Sequence, residues 1–165
     1  MTNIRRYYSD GYTYFVTNVT ILRQPILLEN ANILLESIEK NKIATASDLI
    51  GWAILPDHFH LLVQPADVNI SLLMRRIKLS FSAKYRQLKG MQSGRVWQYR
   101  FWDHVIRNQE DMNRHFDYIH RNPVKHGLVL SPFDYRFSSI HDYREFYPDD
   151  WGIKEESDED FDFGE

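Results

Sequence analysis

The run Ile50-Gly51-Trp52-Ala53-Ile54-Leu55-Pro56-Asp57-His58-Phe59-His60-Leu61-Leu62-Val63 constrains the fold more than any other stretch of the chain. Two apolar segments flank a Pro-Asp turn, so residues 50–55 and 58–64 read as the antiparallel strands of a hairpin. Side chains alternate faces along a strand, so His58 and His60 point one way and Phe59 the other. Two imidazoles on one face, two strand rises apart, could share a metal ion. They could equally be two surface histidines, and this stretch alone leaves both readings open.

The remaining elements fall into place around the hairpin. Residues 12–20 (Tyr-Thr-Tyr-Phe-Val-Thr-Asn-Val-Thr) are β-branched and aromatic, which predicts a central strand. After Pro25, residues 30–40 put Ile33, Leu34, Leu35 and Ile38 at helical spacing, and residues 43–49 form a connection. Ser71 is the expected N-cap of a long helix reaching about Leu88, with Leu72, Leu73, Ile77, Phe81 and Tyr85 along its apolar side. Gly90 to Gly94 breaks that helix. An aromatic and basic segment follows at residues 96–107, and its end, residues 104–107, is the expected fourth strand. A last helix spans residues 110–122, and Pro123 marks its expected end. The order β-α-β-β-α-β-α predicts an α+β fold of the ferredoxin-like, split βαβ type. Such a fold has an antiparallel sheet of four or more strands, helices on one face and, here, an added C-terminal helix that carries Tyr118. Beyond Pro132 the reading is irregular structure anchored by Phe133, Tyr135, Phe137, Tyr143, Phe146, Tyr147 and Trp151. One domain over residues 1–152 and an acidic, disordered tail over 153–165 complete the expected organisation.

Composition narrows the function classes. There is no cysteine among the 165 residues, which excludes disulfides, thiolate zinc sites and cysteine nucleophiles. No apolar run reaches the roughly 18 residues of a membrane span, and the N-terminus has no signal-peptide core, so a soluble cytoplasmic protein is expected. The formal net charge of -3 conceals a split. Residues 149–165 hold nine Asp or Glu and one Lys, whereas residues 68–126 hold twelve Lys or Arg against four Asp or Glu. A basic body with an acidic tail suggests a polyanion-binding surface and a segment able to compete for it.

A second constellation answers the histidine pair. In Asp117-Tyr118-Ile119-His120-Arg121-Asn122-Pro123, Tyr118 and Asn122 stand at i and i+4, so they share a helix face. Set beside two imidazoles, a phenol and an amide oxygen make a single-tyrosine phosphoryl-transfer site. His58, His60 and Asn122 would hold a divalent cation that stabilises charge on a phosphate oxygen. Tyr118 would attack the phosphorus, leaving a phosphotyrosine and a free sugar hydroxyl. A phenol with a pKa near 10 needs help, which the cation or Lys125 could supply. Pro123 disfavours helical dihedrals at Asn122, so the alignment of the two side chains is the weakest geometric step.

His58-Phe59-His60 resembles the His-hydrophobe-His motif of the HUH single-strand DNA nucleases. Together with Tyr118 and the run Asn122-Pro123-Val124-Lys125-His126-Gly127, it resembles the REP-associated tyrosine transposases. The resemblance extends from Arg5-Arg6-Tyr7 through the hairpin and Trp97-Gln98-Tyr99-Arg100-Phe101-Trp102-Asp103-His104 to Asp150-Trp151. It implies a ferredoxin-like fold, Mg²⁺ or Mn²⁺ as cofactor, and metal-dependent cleavage and strand transfer of single-stranded DNA beside a palindromic hairpin of the repetitive extragenic (REP) type, through a 5′-phosphotyrosine. It implies His58 and His60 as metal ligands and Tyr118 as nucleophile. Asn122 sits where related insertion-sequence enzymes place a glutamine, so the third ligand keeps an amide oxygen on a shorter arm. By ligand type alone two histidines would also suit zinc. The resemblance leaves monomer and homodimer both open, and implies action at the nucleoid with no membrane partner.

Single strands are held by base stacking on aromatics along a basic track. Trp97, Tyr99 and Arg100 offer both in one stretch, although Trp97 and Phe101 could instead be core, and Trp102 is read as core. Arg75, Arg76 and Lys78 are the candidates for the hairpin backbone, Arg5 and Arg6 for its foot, and Arg121 and Lys125 for phosphates near the tyrosine. His104, His115, His120, His126 and His141 carry no spacing argument for ligation. Two other functions compete: a hairpin-binding regulator with little or no cleavage, and an RNA-binding ferredoxin-like domain. Neither gives a reason for His58, His60 and Tyr118 to occur together.

Overall fold

The computed structural model describes residues 11–153. Four strands, β1 (Tyr14–Val19), β2 (Asp48–Ile54), β3 (His58–Gln64) and β4 (Trp102–Val105), form one sheet of order β2-β3-β1-β4. Every neighbouring pair is antiparallel, with Thr17 opposite His60, Val19 opposite His58 and Phe15 opposite His104. This is the split βαβ arrangement. The helix α1 (Ala31–Ala44) links β1 to β2, and α2 (Ile70–Lys89) links β3 to β4.

The alternation of β3 builds two apolar layers. Phe59, Leu61 and Val63 face α1 and α2, where they meet Leu34, Ile38, Leu73, Ile77 and Phe81. Leu62 and Phe15 face the other way, into a layer closed by α3 (Gln109–Lys125) through Met112, Phe116, Tyr118 and Ile119. The two crossover helices therefore cover one face and α3 covers the other. His58 and His60 share the parity of Leu62, so they lie on the α3 side.

Boundaries move where tertiary contacts outweigh local preference. The N-cap of α2 is Asn69 rather than Ser71, because the Asn69 side-chain oxygen accepts from Leu72 N at 2.8 Å. β4 begins at Trp102, two residues before the expected start, since it pairs with β1 from Thr17 to Tyr14. Pro123 lies inside α3 instead of ending it. Proline removes one helical hydrogen bond, but Asn122, Pro123 and Val124 are all buried, and the turn beyond closes through His126 N to Asn122 O and Leu128 N to Pro123 O. Packing of that turn keeps Asn122 helical and one turn from Tyr118.

The segment after Pro132 is anchored by its aromatics as expected, apart from the exposed Phe146. Tyr135 and Tyr143 donate their hydroxyls to the carbonyls of Ile54 and Ile50, and Ile54 N donates to Phe137 O. These bonds cover the free edge of β2, an edge that would otherwise template pairing with another chain. His120, fully buried on α3, bonds Tyr147 Oη through Nδ1 and Ser139 Oγ through Nε2, each at 2.8 Å. Burial, with a smaller contribution from His141, holds its pKa down from 6.5 to about 3. The folded state thus keeps this imidazole neutral where the unfolded chain would protonate it. The resulting stability is complete above pH 6.5 and is lost progressively as pH falls towards 3. Replacing His120 with Gln should flatten the unfolding free energy against pH between pH 4 and 6 relative to wild type. The difference in slope should approach about 1.4 kcal/mol per pH unit, read from urea melts.

Candidate active site

Both histidines of β3 are buried, His58 at 1% and His60 at 0% exposure. Buried imidazoles need partners, and each has one fixed by the strand geometry. Asp57, at the turn, places Oδ1 2.6 Å from His58 Nδ1. Thr17, directly across the ladder, places Oγ1 2.9 Å from His60 Nδ1. The rings lie 4.9 Å apart with planes at 80°, so they share a face but are not parallel. Burial pushes the Asp57 carboxyl up, but its hydrogen bond to His58, the charge of His58 and the Arg23 guanidinium together hold it below the usual carboxylate range. The Arg23 ion pair is 3.2 Å long.

The tyrosine helix closes over this pair. The Tyr118 ring packs edge-on to His60 at 5.6 Å and to Phe15 at 5.8 Å, while Phe15 stacks on His60 at 5.3 Å. Lys125 Nζ donates to Tyr118 Oη at 3.4 Å and lies 5.2 Å from the ring centroid. Three buried atoms of this group, His58 Nε2, His60 Nε2 and Asn122 Oδ1, make no hydrogen bond among the described residues, although each side chain is held by other contacts. Two imidazole nitrogens and an amide oxygen are a donor set suited to a divalent cation, with Asp57 in the position of the carboxylate that orients a ligating histidine. His126, for which spacing offered no role, also enters the site, its exposed ring 5.0 Å from that of His58. Thus β3, β1 and α3 bring together His58, His60, Tyr118 and Lys125, and Asn122 lies buried on α3 one turn after Tyr118.

Comparison with known proteins decides the family. The family model described as "Transposase IS200 like" matches residues 8–122. The chain is 37% identical over 156 residues to the REP-associated tyrosine transposase of Escherichia coli K12, covering 92% of this chain and 91% of that one. A relative from Haemophilus influenzae is also 37% identical, over 167 residues, covering 92% of this chain and 94% of its own length. The chain belongs to the IS200-like transposase family. Members are tyrosine transposases, enzymes of DNA transesterification. A solved structure of a REP-associated tyrosine transposase bound to a REP hairpin superposes with a TM-score of 0.75 at 34% identity, over 99% of this chain and all of that one. The ferredoxin-like sheet is therefore the transposase fold. Among the described residues no helix is long and apolar enough to cross a membrane.

Besides Thr17 and His126, two residues of this candidate site were missed at the level of sequence. Asp57 reads only as a turn residue, and its contact with the neighbouring His58 depends on side-chain direction. Phe15 reads as one strand aromatic among several, and only the register places it against His60, Tyr118 and His115. A further group of metal-ligand type, His104, Asp111 and His115, lies where β4 meets α3, with ligand atoms within 4.8 Å of one another. His104 Nε2 and Arg107 N both reach Asp111 Oδ2, at 2.8 and 2.9 Å. The imidazoles of His104 and His115 stack at 4.6 Å with planes 14° apart. A metal lies in the plane of each ring it binds, so stacked rings have no common point for it. Here the three side chains act as a hydrogen-bonded clasp. Burial holds the His115 pKa below its usual value.

The structure divides the DNA-binding candidates. Arg5 and Arg6, like the acidic tail beyond Ile153, lie outside the described residues. Arg75 and Arg76 are exposed on α2, on the sheet face opposite Tyr118. Lys78 is only half exposed and donates its ammonium to Gln98 O at 3.3 Å, bracing the segment before β4, and burial lowers its pKa. Trp97 is corrected to a core residue. It is 5% exposed, packed edge-on against Phe59 and Phe81, with Nε1 donating to Lys78 O and Ser82 Oγ. Trp102, read from sequence as core, is instead 37% exposed, because β4 is an edge strand. Tyr99, at 85%, and Arg100 are open to solvent. The stem of Arg121 lies against Gly152. Replacing Trp97 with Ala should cost roughly 3–5 kcal/mol of unfolding free energy. Replacing Tyr99 with Ala should change it by less than about 0.5 kcal/mol, both measured by denaturant titration.

Proposed function

We propose that this transposase nicks and rejoins single-stranded DNA beside REP-type hairpins, in the cytoplasm at the nucleoid, through a covalent bond to Tyr118. The observation that carries the reading is the packing of the Tyr118 ring 5.6 Å from His60, beside two buried histidines whose Nδ1 atoms are already engaged. A protein that only bound hairpins, or an RNA-binding domain, would have no use for that arrangement.

In this reading Tyr118 Oη attacks the scissile phosphorus as the P–O3′ bond breaks. The strand is left with a free 3′ hydroxyl and a 5′-phosphotyrosine. The phenol releases one proton and the departing 3′ oxygen takes one up, so the exchange is neutral and reversible, and the bond energy is retained for rejoining. Lys125 lowers the cost of the phenolate, and Phe15 and His60 hold the ring edge-on so that its rotamer is fixed before attack. His58, His60 and Asn122 would hold Mg²⁺ or Mn²⁺. When bound, the ion would supply charge stabilisation at a non-bridging phosphate oxygen. Asp57 fixes the His58 tautomer with Nε2 as its donor atom. Arg75 and Arg76 meet the duplex stem, Tyr99 and Arg100 the unpaired strand, and Arg121 and Lys125 phosphates beside the tyrosine.

Incubation with labelled hairpin strands and Mn²⁺ should give an adduct that survives denaturant and is absent from Tyr118→Phe. Cleavage that persists in Tyr118→Phe would rule out the nucleophile. His58→Ala combined with His60→Ala should abolish metal-dependent cleavage, and Asp57→Ala should raise the Mn²⁺ concentration it requires by about 10- to 100-fold. If Arg75 and Arg76 each neutralise a phosphate, replacing both with Ala should reduce the slope of log affinity against log salt by about 2. An unchanged slope would remove α2 from the hairpin interface.

A further inference from the structure

One feature of the site face has no assigned role. A cleft of about 400 Å³ opens beside the histidines, along the β1–β4 side of the sheet. Its floor includes Thr17 and Val19, the β1 residues directly across the ladder from His60 and His58. Its lining also includes Phe101, Trp102, Arg23, Arg100 and Gln98. The volume lies within the roughly 300–1,000 Å³ of small-ligand sites.

We propose that this cleft holds one unpaired nucleotide of the DNA strand, its base stacked on Trp102 and its phosphate between Arg23 and Arg100. The inference rests on the DNA-processing function proposed above and adds where the strand lies next to the reacting phosphate. Three observations select this occupant. Trp102 is braced edge-on by Phe15 at 5.6 Å, yet remains 37% exposed, so a rigid indole stands ready for a partner. Stacking on an aromatic requires a base whose face is free, which an unpaired nucleotide offers and a duplex does not. The cleft lining contains two cations and no carboxylate, as a phosphate requires. Finally, Leu22 and Arg23 hold φ of 52° and 51° in succession, a left-handed backbone that non-glycine residues adopt only when their surroundings demand it. The Arg23 guanidinium also forms the ion pair with Asp57, at 3.2 Å. Asp57 in turn holds His58, so a phosphate on Arg23 lies one ion pair away from the candidate metal ligand. Thr17, in the same lining, is bonded to His60.

Fluorescence anisotropy with two labelled octamers tests this, using the full chain in EDTA so that no cleavage intervenes. One octamer is oligo-dT; the other is an abasic deoxyribose-phosphate strand of equal length and charge. The wild-type protein should bind the dT octamer about tenfold more tightly than the abasic strand, as expected for one stacked base. Trp102→Ala should reduce that ratio to near one by weakening the dT octamer alone, and Trp102→Phe should restore most of it. Equal wild-type affinity for the two strands, binding of neither, or a ratio that Trp102→Ala leaves unchanged would each overturn the cleft assignment. Cleavage chemistry is read separately from the Tyr118 adduct. Loss of the adduct with a Trp102-dependent ratio defeats only the catalytic reading, and the converse defeats only the cleft.

Discussion

Two imidazoles buried side by side in an otherwise apolar layer set the terms for the rest of this structure. A neutral imidazole presents a donor and an acceptor, and leaving either unmet in a core costs about 1–3 kcal/mol. Partners for the Nδ1 atoms come from the nearest available positions: the residue before the strand, Asp57, and the residue across the ladder, Thr17. Both consume the side of each ring that faces the sheet, and both depend on register. A slip of one residue between β1 and β3 would carry Thr17 to the opposite face and set Val16 or Asn18 opposite His60 in its place. The register that satisfies the histidines also puts Phe15 against His60, which gives α3 an apolar surface on which to dock.

The helix α3 therefore belongs to the core and to the site at once. Met112, Phe116 and Ile119 seal the lower layer, and on the same helix Tyr118 packs against His60. Its position is fixed from three directions. The clasp of His104, Asp111 and His115 ties its start to β4. His120 ties its middle to Ser139 and Tyr147. Pro123 is held within its last turn by burial. The attack proposed for Tyr118 would benefit from this rigidity, since small displacements are costly to in-line chemistry. The segment after Pro132 braces this helix through Ser139 and Tyr147 and also shields the β2 edge.

The sheet is asymmetric in a way that suits a strand of DNA. On the β2 side its edge is closed by the segment around Ser138, whereas on the β4 side it ends in a short edge strand with Trp102 exposed. Open access to the histidine face is thus concentrated at the edge where aromatic rings and guanidiniums meet. The basic residues of α2 lie on the far face, separated from the tyrosine by the thickness of the sheet.

Much was legible in the sequence for reasons that are local. Alternation along a strand put His58 and His60 on one face, and helical spacing put Tyr118 and Asn122 on another; the element order implied the split βαβ topology, and the ordered motifs pointed to the transposase family. What escaped was whatever depends on the surroundings of a side chain. Trp97 and Trp102 occur five residues apart in one aromatic, basic stretch, and nothing in that stretch says that the first enters the core while the second stands at an edge. The hydrogen-bond partners of Trp97 lie on α2, and the exposure of Trp102 follows from its strand having no neighbour beyond it. Likewise Pro123 signals a helix end by its own chemistry, and only the burial of its turn carries the helix past it. Periodicity and covalent geometry are written residue by residue, so the sequence by itself determined the elements, their faces and the reactive groups. Which groups meet, and which surfaces stay open, depends on how separate elements pack, and only the tertiary structure decided that.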